Sequence, residues 1–239
     1  MVSEEKKVNR PCDNTPIRLR FRFRKVGRLR YISHLELVRT VSKAATRAGI
    51  PCWFTQGFNP VPKIVFGTPM SVGMESECEF VELRLTERVE PADALDRLNA
   101  ATPAELTFLE AYYPDNKLTD QCFAEYEILV RTDKDADTLA AAFRALLSDP
   151  DLTCRSLTHG KANERVVGRQ TADAKVEVTG EHALRLTMTL GTSQGEFLNP
   201  DYVMIALDQQ TRFLDGSPLD NAYLIRRLAA LDKDGKTFR

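Results

Sequence analysis

Apolar and charged residues alternate strictly at the start of the chain. Ile17, Leu19, Phe21 and Phe23 are interleaved with Arg18, Arg20, Arg22 and Arg24. A period of two predicts a strand with one greasy face and one guanidinium face. Lys25–Arg28 reads as a turn or a bulge. Ser33 followed by Glu36 has the spacing of a capping box and predicts a helix running to about Ala48. Leu35, Val38, Val41, Ala45 and Ala48 are its expected buried stripe, and Arg39, Lys43 and Arg47 share another face. Gly49 and Pro51 end it. Cys52–Thr55 and Lys63–Phe66 can extend, and Gln56–Pro62, with two prolines and a glycine, must be a loop. Glu79–Leu85 predicts a strand, Pro91–Ala100 a helix and Leu106–Tyr113 a strand.

After a polar stretch at Pro114–Gln121, read as a linker, the order starts again. Strands are expected at Ala124–Val130, Leu152–Thr158, Val176–Val178 and Leu184–Leu190. Helices are expected at Ala136–Leu147 and at Pro200–Leu207, the latter capped by Asn199. Tyr223–Leu231 allows helix or strand, and the repeated order selects a strand. Two β-α-β-β-α-β runs predict an α+β protein with two tandem ferredoxin-like domains and antiparallel sheets. The expected layout is a disordered tail at 1–15, a basic domain at 16–114 and an acidic domain at 122–239.

Composition changes this picture only through the distribution of charge. Across 239 residues the net charge is -1, with 43% hydrophobic and 28% charged residues, an ordinary globular balance. Residues 16–64, however, hold eleven basic side chains and one acid, Glu36, for a charge of +10. The first fifteen residues balance, so 65–239 carry -11. Such asymmetry predicts a basic face for a polyanion. The five cysteines, Cys12, Cys52, Cys78, Cys122 and Cys154, are far apart and match neither a zinc site, a disulfide scaffold nor an iron–sulfur motif. No metal and no cofactor are expected. The absence of a long apolar run or a leader-like N-terminus predicts a cytoplasmic protein with no membrane contact.

Several short motifs recur to a known pattern. They are Leu29–Glu36 (LRYISHLE), Arg47–Pro51, Gln56–Pro60 (QGFNP), Pro62–Ile64 and Gly73–Glu77 (GMESE). As a set they resemble the radical SAM-linked (radical SAM-associated) family, a bacterial family of unknown function, over about residues 17–115. The resemblance implies a companion to radical S-adenosylmethionine enzymes, fused to them or encoded beside them. This chain lacks the cluster-binding cysteine triad, so the resemblance implies a separate radical SAM enzyme as partner. It carries over no catalytic residue.

The candidate phosphate-binding residues are Arg18, Arg20, Arg22, Arg24, Arg28, Arg30, Arg39, Lys43 and Lys63. Strand arginines two apart stand ~6.6 Å from one another, near the spacing of successive phosphates. The same arginines could equally be spent on salt bridges to the acidic domain. Gln56 and Asn59 offer amides to base edges and Phe58 a ring for stacking, although turn chemistry explains the loop as well. His34, at a helix start, is the one candidate acid–base group, against a bland role as a cap or loop contact. The acidic run Glu75, Ser76, Glu77, Glu79 is expected to pair with Arg28, Arg30 or Lys63 rather than hold Mg²⁺. Trp53 is expected between helix and sheet.

The functional expectation is a non-catalytic RNA- or ribonucleoprotein-binding companion of a radical SAM enzyme, in RNA modification or processing. One alternative is a metal-independent RNA-processing endonuclease using His34. The tandem layout is similar to that of CRISPR RNA-processing endonucleases, by fold-level analogy alone. The other alternative is a module that docks the radical SAM enzyme without touching RNA.

Overall fold

A computed structural model describes residues 16–56, 58–158, 161–192 and 196–239. The tail expected at 1–15, with Cys12, and also Gly57 and His159, lie outside the described residues. The protein is mixed α+β, a large and mostly antiparallel sheet with four α-helices among the described residues.

The first half contains β1 (Ile17–Lys25), α1 (His34–Arg47), β2 (Ile64–Phe66), β3 (Glu75–Leu85), α2 (Pro91–Ala100) and β4 (Leu106–Tyr112). Their sheet order is β4-β1-β3-β2. The second half contains β5 (Phe123–Arg131), α3 (Ala136–Leu147), β6 (Thr153–Thr158), β7 (Lys161–Val166), β8 (Lys175–Gly180), β9 (Ala183–Gly191), α4 (Pro200–Thr211) and β10 (Ala222–Leu231). Its order is β10-β5-β9-β8. The β6–β7 hairpin stands apart from the main sheet, and sequence reading found only its first strand.

Counting strands of the main sheet alone, both halves thus place their fourth strand beside the first and the first beside the third. Sequence reading expected two separate sheets. The structure joins the two halves in one main sheet, because β10 lies parallel to β3, Arg226 beside Glu75 and Arg227 beside Ser76. The ambiguous Tyr223–Leu231 segment is therefore a strand, and it joins the halves.

Alternation on β1 does what a period of two requires. Leu19, Phe21 and Phe23 are fully buried and pack with Val81, Leu83 and Leu85 of β3, beneath α1 and α2. A second core lies beneath α3 and α4, with Tyr126, Ile128, Leu184 and Leu186 from the sheet. A smaller cluster of Cys78, Phe80, Ala230 and Phe238 closes the opposite face near the junction.

The helix ends follow their local chemistry. Ser33 and Glu36 form the expected capping box, and Asn199 caps α4. Gly49, at φ +62°, turns the chain after α1 in the left-handed region. The buried stripe of α1 is Leu37, Val41, Ala44 and Ala45, whereas Leu35 is 57% exposed. No helix among the described residues is long and apolar enough to cross a membrane.

Candidate nucleic-acid interface

The guanidinium face of β1 meets its own protein. Arg20 is 0% exposed. Its Nε and Nη2 donate to Glu82 Oε1 at 3.1 and 2.7 Å, and Asn116 accepts from Nη1. Arg22 makes the same fork to Glu110, at 3.1 and 2.7 Å. Arg18 donates to the carbonyls of Asn116 and Pro114. The stretch read as a linker therefore lies across this face, and Phe238 sits against the Arg20 guanidinium at 5.0 Å. Arg24 is partly buried, with no partner for its Nε among the described residues. Arg20 has no surface left for a phosphate. Arg18 and Arg22 keep only part of theirs.

The GMESE motif builds a polar seam between the two cores. Glu75 holds Arg226 at 2.9 Å and Arg30 at 3.5 Å, and it accepts the Gly27 N–H at 3.0 Å. Gly27 has φ +62°, and any side chain there would crowd Glu105. Phe23 lies opposite Glu79 and Lys25 opposite Ser76, so β3 carries one extra residue. This bulge puts Ser76 and Glu79 on the same side of the sheet. There Glu79 accepts from Arg227 Nη1 at 3.0 Å, and Arg227 Nη2 donates to the Tyr126 hydroxyl at 3.2 Å. Lys25 is buried beside them, with the Met74 carbonyl 3.4 Å from its Nζ. Burial pushes the Glu79 carboxyl up and the Lys25 ammonium down from their ordinary ranges.

Arg30 thus meets its expected acid partner, while Arg28 and Lys63 do not pair with the acidic run in the described contacts. Sequence reading missed Glu82, Glu110, Arg226 and Arg227. Arg226-Arg227 inside the apolar run of β10 was the available signal, since charge in such a run demands a buried partner.

Other basic residues stay in solvent. Arg28, Arg39, Lys43 and Lys63 are exposed. Residues 53–55 and 61–63 pair as a short hairpin, with Thr55 N–H donating to Val61 and Lys63 N–H to Trp53. Its tip presents Gln56, Phe58 and Asn59, all exposed, and the Phe58 ring is wholly in solvent. Trp53 is half-buried rather than enclosed, and the Lys63 ammonium lies over its ring at 5.2 Å.

His34 is exposed at the first position of α1 and meets Phe66 edge-on at 5.2 Å. Among the described residues no three His, Cys, Asp or Glu side chains gather as a metal site.

Two solved structures give a slight likeness. One is a chain from the crystal structure of a Cbf5-Nop10-Gar1 complex, at 11% identity and a TM-score of 0.47. The match covers 92% of this protein but only 51% of that chain, so this protein spans about half its length. The other is an unknown protein from Galdieria sulphuraria, at 11% identity and a TM-score of 0.26, covering 88% of this protein and 98% of that chain. Likenesses of this size carry no argument about function. No curated protein matches the chain. A family model, by contrast, matches residues 18–200, a span that holds the strand arginines, the exposed hairpin and the β3 side of the seam. The chain belongs to the family described as uncharacterized protein conserved in bacteria (DUF2344).

Proposed function

We propose that this protein is a non-catalytic RNA- or ribonucleoprotein-binding companion of a separate radical SAM enzyme. We further infer that residues 16–114 and 122–239 are two ferredoxin-like units fused edge to edge. The strand order repeated in the two halves supports that inference.

The observation that carries the RNA reading is Phe58. Its ring is wholly exposed and free to stack. Here it stands on a hairpin tip between two exposed amides, with Lys63 at the hairpin's base. Single-stranded RNA is held by this combination: a ring for base stacking, amides for base edges and cations for phosphates. Arg28, Arg39 and Lys43 add exposed positive charge in the same half.

The test is filter binding of cellular RNA at two salt concentrations. Binding should weaken steeply with salt. Phe58→Ala should lose about 1–3 kcal/mol, as for a stacked base. Arg39→Glu/Lys43→Glu should flatten the salt slope. Binding indifferent to salt and to Phe58→Ala overturns the reading.

The exposed Tyr31 and Leu35 favour the docking alternative, because apolar side chains on a charged surface suit a protein partner. Retention of a purified radical SAM enzyme after nuclease treatment, lost in Leu35→Asp, would select it.

A further inference from the structure

A cleft of about 830 Å³ opens between the segment after β2 and the chain that leads into the second half. Its size is that of a small-molecule or cofactor site. Phe66, Phe197, Thr68, Thr119 and Thr192 are among its lining residues. None of its described lining residues is charged, so a neutral group fits best.

The decisive feature is Gln121. It lines the cleft at 3% exposure, and neither its Oε1 nor its Nε2 has a hydrogen-bond partner among the described residues. Buried amides are normally satisfied, so an orphaned one marks a place where something else bonds. The surroundings hold this residue in place. The Thr192 hydroxyl donates to its backbone carbonyl, and the Thr68 carbonyl nearby is fixed by Arg227 Nη1 at 2.9 Å. A side chain at Gly67 would come within 3.1 Å of Oε1, so glycine there leaves the amide its room.

We propose that this cleft is a nucleobase site, with Gln121 reading the base. Both amide atoms are enclosed in this conformation, so a base engages them only as the side chain turns toward the cleft, and the planar amide then offers a nucleobase edge a donor and an acceptor side by side. Gln pairs in this way with the N6 and N7 positions of adenine, so adenine is the expected base. The base could come from an unstacked nucleotide of a bound RNA, which rests on the reading above, or from a free nucleoside.

The experiment follows the Gln121 side-chain NH₂ signal by ¹H–¹⁵N NMR in the full chain. Adenosine, guanosine, cytidine and uridine are titrated to millimolar concentration, then single-stranded A10 and U10 RNA. Saturable movement of that signal, strongest with adenosine, is expected. Gln121→Leu should lose the response and weaken A10 binding by about ten-fold or more, while melting at the same temperature or higher. Phe197→Ala, at a partly exposed position, provides a second variant with the same expected loss.

An adenosine response without RNA binding keeps the cleft as a free-nucleoside site and removes the RNA reading. Salt-sensitive RNA binding with an unmoved Gln121 signal keeps that reading and overturns the cleft. Equal adenosine binding by wild type and Gln121→Leu also overturns it.

Discussion

Arg20 and Arg39 are the same residue type in the same basic stretch, and they meet opposite fates. Arg20 is enclosed on a fork to Glu82, and Arg39 is in solvent. The difference lies in partners far along the chain. Glu82 is 62 residues from Arg20, and Glu110 is 88 from Arg22. Local pattern fixed which face of β1 carries charge, but not whether that face meets water.

Arg227 is the sharper case. Its replacement by Met leaves Glu79 buried without its strongest partner, which costs about 3–5 kcal/mol in urea melts. Glu79→Gln in the same chain should recover part of that loss. The pH dependence has a definite sign. The Glu79 carboxyl titrates higher folded than unfolded, so its contribution is full below the ordinary carboxylate range. It is lost as pH rises through the raised value, and Glu79→Gln should flatten that limb of the melting curve. The thiols differ in the same physical way. Burial pushes Cys52 up to about 11 and raises Cys78 and Cys154, while Cys122 is half-buried. Peptide mapping after brief alkylation at pH 8 should find Cys122 modified before Cys52, Cys78 and Cys154.

At the scale of elements, α1 shows both the reach and the limit of periodicity. Its start and end were legible, because Ser33, Glu36 and Gly49 act on neighbouring backbone groups. Its buried face was misplaced at Leu35, because Leu35 and Leu37 both begin acceptable helical stripes. Only packing on β1 and β3 chooses between them. Leu37→Ala should therefore cost about 2–5 kcal/mol and Leu35→Ala less than about 0.5 kcal/mol. Ser33→Ala should cost about 1 kcal/mol by removing the cap. The second strand of the β6–β7 hairpin escaped for the opposite reason. Lys161–Val166 shows almost no apolar alternation, and its pairing with β6 makes no use of the main sheet. In the candidate site, the hairpin tip was legible from its turn residues. Gln121 was not, since nothing local distinguishes an orphaned glutamine from a solvated one.

For the whole molecule, the split of +10 and -11 is partly consumed by the pairs Arg20–Glu82, Arg22–Glu110 and Arg30–Glu75 and partly left outside. Glu75 and Glu79 draw in Arg226 and Arg227, so the acidic run belongs as much to the junction as to any surface. The repeated element order was visible in the sequence, but the union of two sheets was not. A parallel pair between residues 151 apart, as in Arg226 and Glu75, leaves no local trace.

That parallel pair also sets a timetable. During translation, at ~5–20 residues per second, β3 leaves the ribosome roughly 8–30 s before β10 can reach it. Throughout that interval its edge is open, with unpaired backbone groups of the kind that recruit other chains. The two carboxylates that later hold Arg226 and Arg227 then lack those partners. Charge on an open edge repels a second copy, so the residues that close the finished junction first guard the nascent chain against aggregation. A chain truncated before Ala222 should stay more soluble with Glu75 and Glu79 than with both changed to Gln, as pelleting after synthesis in a cell-free system would measure.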